Sequence, residues 1–441
     1  MGLLKRREFI QLLLGSAAAL TPWSSNAQST MFSGRFPVVQ GLTDHQSTQF
    51  SVLVPAGQLF QFRVFRDDSS EQFYNPTWSH LETRSFSNRS VVKLAFQNLP
   101  GPGRYTFEIL DNTGRLADRR FFQLKDLTQG TARIAMGSCI QEKWQNPGIW
   151  ETLVRNSPDY FFITGDCVYA DRIWMGGDDD IVKPADSKQL WNQYARYFEN
   201  IMYYRSLQLF PTLYTWDDHD YGINNGDSTY RYRREAQRVF ETFTAQLPEF
   251  SNHAVRGPGV SFFFQAYGQN FFFWDSRSFK EPNNLEIDTY MYGPDQHNFV
   301  FNGLSSSRLP SWMISGTPWF GAYNEKESLE GDYPAAYKYL MSQFAQAGVP
   351  IAFVSGDTHF SELMGIESSI LGYESLEITA SSLHSFTRSR AGRKKNPRRV
   401  HWYNGHNVVF VETQNTGFMF GGRITSLNEY NRVNFSQEFS F

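Results

Sequence analysis

The chain has 441 residues, which is long enough for two or three domains and a large buried core. Charged residues make up 19% and carry a net charge of −3, which excludes a disordered polyelectrolyte and argues against nucleic acid as a partner. With only two cysteines, the sequence also excludes a disulfide scaffold and a zinc site built from four cysteines.

The amino terminus has the features of a cleavable export signal. Three basic residues precede an apolar stretch at residues 12–20, and Ala27 ends a small-x-small cleavage pattern. Arg6-Arg7, followed closely by Phe9-Ile10, is typical of a twin-arginine signal, although in an ordinary secretory signal the arginines would only supply charge. We predict a signal peptide over residues 1–27, recognition by the twin-arginine export machinery, and a periplasmic or secreted mature protein without a transmembrane span.

Residues 31–127 have the pattern of a small β-sandwich. Residues 60–65 and 105–109 alternate apolar and polar side chains with a period of two, as strands with one buried face do. A turn signal at 111–114 leads into a further strand pattern. The spacing predicts an immunoglobulin- or fibronectin-like domain that holds no cluster of catalytic residue types. Residues 126–130 predict a linker.

From residue 131 to residue 441 the pattern changes to strands that alternate with helices, which predicts an α/β domain. Helical patterns lie at about 187–205, 229–246 and 333–347. The strand patterns are mainly apolar runs without alternation, which is typical of strands buried on both faces. These strands are predicted at 133–136, 160–164, 212–216 and 351–354.

Each of these four strands ends in residues that can bind a metal ion. In α/β sheets, ligands gather at the carboxyl ends of strands. One Asp or His at such an end would be an ordinary turn former, but four such ends in order favour a shared site. The residues are Cys139, Asp166 with Tyr169, Asp218 with His219, and Asp357 with His359.

The residue types suit two different metals. Thiolate and phenolate ligands favour a strongly Lewis-acidic iron, and carboxylates favour a hard cation such as calcium. Two neighbouring metals clamp a phosphate and generate a hydroxide nucleophile. His219, beside a ligand, would donate a proton to the leaving oxygen. The expected ligand sets are Cys139, Tyr169 and His359 for the first metal, Asp218 and Asp357 for the second, and Asp166 as a bridge.

Four motifs contain these residues: Gly137-Ser138-Cys139, Gly165-Asp166-x-x-Tyr169-Ala170-Asp171, Trp216-Asp217-Asp218-His219-Asp220 and Ser355-Gly356-Asp357-Thr358-His359. In this order, together with Trp274-Asp275-Ser276-Arg277, they resemble the motif series of the PhoD-like alkaline phosphatases of the calcineurin-like metallophosphatase superfamily. The resemblance includes the export signal and the sandwich, so it spans nearly the whole chain. It implies a four-layer αββα domain, an Fe³⁺ and Ca²⁺ centre, and hydrolysis of phosphomonoesters and phosphodiesters. The ligands that it implies are Cys139, Asp166, Tyr169, Asp218, Asp357 and His359.

Four further features have two interpretations each. Arg277 would grip a phosphate oxygen, or it would form a salt bridge to Asp275 or another local acid. The basic run at 388–401 is either an anion-attracting rim of the site or a solvated loop. His384 either faces the site or is a hydrogen-bonded structural histidine. Cys167 is predicted to be a core residue, although a disulfide with the other cysteine would compete with metal binding.

The sequence therefore predicts an exported metal-dependent phosphohydrolase, a D-type alkaline phosphatase or phosphodiesterase that uses a metal-bound hydroxide. The alternative is an exported polymer-binding protein with a vestigial metallophosphatase domain. Every position of the motif series holds a residue with the chemistry that metal binding or catalysis requires there, which favours the enzyme. A serine hydrolase is disfavoured because the chain contains no Gly-x-Ser-x-Gly.

Overall fold

The computed structural model describes residues 28–69, 71–174, 180–283, 289–321, 327–388 and 395–441. The predicted signal peptide at residues 1–27 lies outside this part of the chain. Within it, the fold is a mixed α/β structure that is mostly sheet, with a region of antiparallel sheets at the amino-terminal end. This confirms the predicted α/β class and the predicted β-rich amino-terminal region.

The amino-terminal region contains seven described strands in two sheets. They are β1 Val38–Thr43, β2 Thr48–Pro55, β3 Gln61–Arg66, β4 Trp78–Glu82, β5 Arg89–Phe96, β6 Gly103–Leu110 and β7 Leu116–Leu124. One sheet has four strands in the order β1-β2-β5-β4, and the other has three in the order β3-β6-β7. Apolar side chains from both sheets form one buried cluster that includes Phe50, Val64 and Phe107. In β3 the buried Phe62 and Val64 alternate with more exposed residues, as the period of two predicts.

The rest of the described chain contains two larger sheets and a short hairpin. The strands of the first sheet, in spatial order, are β12 Thr212–Thr215, β9 Tyr160–Thr164, β8 Thr131–Gly137, β21 Asn407–Asn415, β22 Phe420–Asn428 and β23 Val433–Ser440. Those of the second are β13 Ala254–Arg256, β14 Phe262–Ala266, β15 Gln269–Phe273, β16 Ser311–Ile314, β17 Ile351–Ser355, β19 Ser375–Thr379, β18 Ser361–Ile366 and β20 Arg399–Tyr403. The hairpin strands are β10 Arg172–Trp174 and β11 Asp180–Val182.

The two large sheets share a hydrophobic core. Phe162 of β9 belongs to the same buried cluster as Phe271 of β15 and Trp312 of β16. The neighbouring residues of β9, Phe161 and Ile163, belong to a different cluster that is formed with helices. Both faces of β9 are therefore covered by protein, which explains its uninterrupted apolar run.

Helices pack on the outer faces of both large sheets. Helices Pro147–Arg155, Ser187–Asn200 and Arg233–Thr244 contribute to the cluster that contains Phe161. Helices Pro294–Ser307 and Pro334–Gln346 contribute to the cluster that contains Phe353 of β17. The shorter helices are Gln28–Met31, Asp218–Tyr221, Leu329–Asp332 and Ser368–Leu371. The four-layer αββα order stays a prediction, which these clusters support.

Among the residues that the structure describes, no helix has the length and apolar character that crossing a bilayer requires. The domain boundaries at residues 127 and 131 stay a prediction. The amino-terminal sheets contact the α/β region directly. Gln49 of β2 exchanges two hydrogen bonds with the main chain of Leu247, at 2.7 and 2.8 Å.

Candidate metal centre

The four strands that end in candidate ligands come from both large sheets. β8, β9 and β12 are parallel neighbours in the first sheet, whereas β17 lies in the second. The sheet ends meet where the Thr164 hydroxyl lies 3.3 Å from the Ser355 carbonyl oxygen. Gly356 is required at this junction, because a Cβ there would lie 2.0 Å from the Thr164 carbonyl oxygen. This close approach brings the loops that follow the strands to one place.

Four candidate ligands have an unusual backbone conformation. Cys139, Asp166, Asp357 and His359 have φ values of 60°, 55°, 63° and 60°. Side chains with a Cβ rarely adopt this left-handed region, and such residues concentrate at functional sites. A main-chain hydrogen bond connects the loops that contain Cys139 and Asp166. The Cys139 N–H donates to the carbonyl of Gly165, the residue before Asp166, at 3.2 Å.

One group of potential ligands consists of Cys139, Asp166 and His359, whose ligand atoms lie within 4.8 Å of one another. The Cys139 Sγ lies 3.6 Å from Asp166 Oδ2, and the Tyr169 hydroxyl lies 3.3 Å from His359 Nε2. His359 Nδ1 lies 2.7 Å from the Phe386 carbonyl oxygen, so Nδ1 carries the proton and Nε2 faces the tyrosine. The geometry therefore brings together the three predicted iron ligands.

A second group consists of Asp166, Asp218 and His219, also within 4.8 Å. Asp166 belongs to both groups, as a bridging ligand would. Each Asp218 carboxylate oxygen accepts one main-chain N–H, from His219 and from Asn225, at 2.8 Å. Asp357 is half-buried and belongs to neither group, although burial, Asp166 and, less strongly, Asp357 raise the pKa of Cys139. The ligand roles of all six residues stay predictions.

The electrostatics of the cluster favour a bound cation. Burial raises the pKa of Asp166 well above its usual range, and the neighbouring carboxyl groups raise it further against the effect of His219. Burial also raises the pKa values of Cys139 and Tyr169. Asp166 Oδ1 is buried and accepts no hydrogen bond from any described residue. A metal ion would satisfy this oxygen and reverse these shifts, so the donor set fits a metal.

His219 is oriented by a carboxylate that sequence reasoning did not single out. Its Nδ1 lies 2.8 Å from Asp171 Oδ1, and its Nε2 lies 3.9 Å from Asp218 Oδ1. Burial lowers the pKa of His219, but Asp218, Asp166 and Asp171 together outweigh burial and raise it to about 10. Asp171 lies two residues after Tyr169 within the same motif, and that position was the only sequence signal for it.

Arg277 is fully buried and its donors have partners within the protein. Its Nε donates to Asp217 Oδ1 at 2.8 Å, and a terminal nitrogen donates to Glu327 at 2.8 Å. The acid expected as a local partner, Asp275, instead accepts the main-chain N–H of Arg277 at 3.0 Å. A grip on phosphate by Arg277 stays a prediction, and the observed contacts match the salt-bridge interpretation.

Two polar side chains near the ligands were missed by the sequence analysis. A terminal nitrogen of Arg172 lies 3.5 Å from His219 Nε2, and its guanidinium lies 5.4 Å from the centre of the Tyr169 ring. The Ser381 hydroxyl donates to Cys139 Sγ at 3.1 Å, from a loop 242 residues away. Arg172 directly follows the Gly-Asp-x-x-Tyr-Ala-Asp motif, whereas no local pattern indicates Ser381.

The remaining candidates have mainly structural contacts. Both cysteines are free thiols, and Cys167 is buried among apolar residues as predicted. His384 is buried, and its Nδ1 lies 3.2 Å from the Gln141 carbonyl oxygen. Residues 389–394 of the basic run lie outside the described residues. Arg398 within the run forms ion pairs with Glu330 and Glu367, so this part of the run is neither a free rim nor a solvated loop.

Comparison with known proteins agrees with the motif series. The model of the PhoD-like phosphatase family matches residues 134–420. None of the curated proteins matches the chain. The solved structure of PhoD covers 95% of this chain and 90% of its own, with a TM-score of 0.71 at 15% identity, so the two share a fold. A predicted phosphoesterase from Streptococcus pneumoniae TIGR4 covers 70% of this chain and 98% of its own at 10% identity, but its TM-score is only 0.27.

The family resemblance inferred from the motifs is thereby confirmed. The matched region includes every candidate metal ligand, from Cys139 to His359. It extends over well more than half of the chain. The chain therefore belongs to the PhoD-like phosphatase family.

Proposed function

We propose that this protein is an exported, metal-dependent phosphohydrolase that cleaves phosphate esters. The observation that carries the proposal is the pair of ligand groups that share Asp166, a buried carboxylate with one oxygen lacking a hydrogen bond from the described residues. Membership of a phosphatase family supports the same reaction class. Periplasmic or secreted localisation rests on the sequence of residues 1–27 alone.

The residues that would hold the metals follow their chemistry. Cys139, Tyr169 and His359 would hold Fe³⁺, because a thiolate, a phenolate and an imidazole suit a Lewis-acidic transition metal. Asp218 and Asp357 would hold Ca²⁺ through oxygen ligands, and Asp166 would bridge the two ions. When bound, the metals would lower the pKa of water and stabilise the negative charge of the reacting phosphate.

The protein's own side chains would handle the proton and the orientation of the substrate. Asp171 holds His219 through Nδ1, so that Nε2 is directed toward the ligand groups. A protonated His219 would donate from Nε2 to the leaving oxygen, which is the role of a general acid. Arg172, beside His219, would contact a phosphate oxygen through its guanidinium.

We propose activity on both phosphate monoesters and phosphate diesters. The test uses full-length protein exported from its host, with elemental analysis and a panel of aryl phosphate monoesters and diesters. Iron and calcium should be present together with activity. Asp166→Asn should lose both, whereas the matched control Asp111→Asn, in an exposed turn of the amino-terminal region, should lose neither.

The metal assignment has a separate optical test. A phenolate on Fe³⁺ gives a charge-transfer band in the visible, which zinc, calcium and magnesium do not give. Active exported protein should therefore be coloured, and Tyr169→Phe should shift or abolish the band. A colourless, iron-free preparation with full activity would contradict the metal but leave the phosphohydrolase proposal standing. Metal-loaded protein without activity on any ester would instead favour the polymer-binding alternative.

A further inference from the structure

Asp220 is a buried carboxylate that accepts hydrogen bonds from the main chain of two separate loops. It ends the motif that contains Asp218 and His219, but its side chain does not belong to either ligand group. Its Oδ1 accepts the N–H of Val168 at 2.8 Å. Its Oδ2 accepts the N–H of Asp166 and, at 3.1 Å, the N–H of Asp217.

Two of these donors belong to the turn that carries the shared ligand. Asp166 has a φ of 55°, and it follows Gly165, which has a φ of 87°. A residue with a Cβ keeps a left-handed conformation only where its surroundings hold it there. The hydrogen bonds from Asp166 and Val168 close this turn around one carboxylate. No described side chain other than Asp220 accepts from the main-chain N–H of Asp166.

The third donor connects this turn to the neighbouring strand end. Asp217 precedes the short helix Asp218–Tyr221, and Asp217 and Asp220 form a reciprocal capping box at its start. β9, which precedes Asp166, and β12, which precedes Asp217, are parallel neighbours. One carboxylate therefore fixes the loop after β9 relative to the loop after β12, and with it the separation of Asp166 from Asp218.

We propose that Asp220 is a positioning residue for the metal centre, which holds the Asp166 main chain in the conformation that lets its carboxylate serve both ligand groups. The inference rests on the metal-dependent function proposed above. Partners that orient metal ligands typically change metal affinity by about 10–100-fold when they are removed. Asp220 would therefore act on metal retention through Asp166, and it would not itself contact a metal or substrate.

The test compares Asp220→Asn, Asp220→Glu and wild type with the control Asp111→Asn. Asp111 is a suitable control because its carboxylate also accepts two main-chain N–H groups, from Thr113 and Arg115, but in a turn of the amino-terminal region. Full-length protein is stripped by a chelator and titrated with Co²⁺, whose visible ligand-field bands report binding, and separately with Ca²⁺. Both Asp220 variants should bind the two ions about 10–100-fold more weakly, and the control should match wild type.

The Glu variant separates geometry from charge. It keeps the carboxylate but moves it by one methylene, so the three hydrogen bonds cannot all be kept. Wild-type affinity in Asp220→Glu together with weak binding in Asp220→Asn would show that the charge of Asp220 matters at long range, and would overturn the positioning role.

A measurement on wild type covers the case in which the variants do not fold. Hydrogen exchange followed by mass spectrometry reports on the amides of Asp166 and Val168 in the metal-free protein. These amides should exchange slowly before any metal is added, because the Asp220 carboxylate already holds them. Fast exchange that becomes slow only with Co²⁺ would overturn the inference. Wild type that binds neither Co²⁺ nor Ca²⁺ would instead contradict the metal-dependent function itself.

Discussion

Two clusters of buried charge lie next to each other at the ends of the parallel strands, and their charges are balanced differently. The arginine cluster consists of Asp217, Arg277, Lys280 and Glu327. Each of its carboxylates contacts a cation, since Asp217 pairs with Arg277 and Glu327 pairs with both Arg277 and Lys280. The ligand cluster consists of Cys139, Asp166, Tyr169, Asp218 and His359. Its carboxylates and other potential anions outnumber the nearby cations His219 and Arg172.

The role of a buried acid depends on the groups that it contacts and not on its place in the sequence. Asp217 and Asp218 are adjacent and both are buried. Asp217 Oδ1 accepts from Arg277 Nε and, at 2.7 Å, from the Thr317 hydroxyl. Asp218 accepts main-chain N–H groups and faces Asp166 and His219. The first carboxylate stabilises the fold, whereas the second is available to a metal.

The largest effect should come from Asp166→Asn, which removes the shared oxygen ligand. We expect the loss of metal and a fall in rate of at least about 10³-fold, because the ions supply several kcal/mol of transition-state stabilisation. The metal-free variant should nevertheless unfold at a higher temperature than metal-free wild type, because burial raises the pKa of Asp166 and an uncharged amide removes the cost of burying an acid that is ionised in the unfolded chain. Elemental analysis, kinetics and calorimetry check these outcomes. A lower unfolding temperature would show that the ligand cluster is already balanced without metal.

His219→Ala should affect the chemical step more than metal binding. We expect turnover to fall by roughly 10²–10⁴-fold, which is the usual contribution of a positioned general acid. Metal content should stay at the wild-type level, because the predicted ligands Asp166, Asp218 and Asp357 all remain and His219 belongs to the second group by distance only. Turnover and elemental analysis on the same preparation check this. Loss of both metals with an unchanged rate per bound metal would contradict the role.

Asp217→Asn should have the opposite effect on stability to Asp166→Asn. It leaves the buried Arg277 without its main partner, and breaking a buried ion pair typically costs about 3–5 kcal/mol. Denaturant unfolding of the metal-free protein measures the loss, and the isosteric change at Asp111 serves as the control. Equal shifts in the same direction for the two aspartates would remove the distinction between the clusters.

Another buried acid, Glu377, accepts hydrogen bonds but contacts no cation among the described residues. It accepts from the Ser355 hydroxyl at 2.7 Å and from the Trp319 N–H at 3.0 Å, and burial raises its pKa to about 7. Between the unfolded pKa of 4.5 and about 7, the unfolded chain loses this proton while the folded protein keeps it. Stability should therefore fall as the pH rises through this window, by about 3 kcal/mol.

The variant Glu377→Gln should lack this contribution. We expect the unfolding free energy of the variant, relative to wild type, to increase between pH 5 and pH 8 by about 2.5 kcal/mol, because pH 5 already lies above the unfolded pKa. Unfolding in urea with a chelator present at both pH values measures the difference. A constant difference at the two pH values would show that Glu377 is ionised over the whole range.

The smallest effect should come from the basic run. Arg388 stacks on Phe386, whose ring centre lies 4.2 Å from that of His359, so this end of the run reaches the ligand cluster. Replacing Arg393, Lys394 and Lys395 by Ser should raise the KM for polyanionic substrates and weaken its salt dependence, with each charge contributing about 0.2–1 kcal/mol. The control is Arg115→Ser in the amino-terminal region. No change in KM or in salt dependence would favour a solvated loop.

Many helices and strands were predictable, because they follow from patterns of residues that are close together in the sequence. The apolar runs at 160–164 and 351–354 correspond to β9 and β17, and the alternating residues 60–65 correspond to β3. The helical pattern at 187–205 was too long at its end, because the helix ends at Asn200 and a 3₁₀ turn, Met202–Arg205, follows. Capping explains the beginning of this helix, since the Asp186 side chain accepts from the Gln189 N–H.

The sequence by itself determined the family, the types of the candidate ligands and their positions after strands, because residue chemistry and spacing are local properties. Only the tertiary structure decided that ends from two different sheets meet at one centre, that Arg277 is paired with Asp217, and that Ser381 contacts Cys139. These contacts join residues 60 to 242 positions apart in the chain. Their geometry depends on how the sheets pack against each other, and no short pattern encodes that packing.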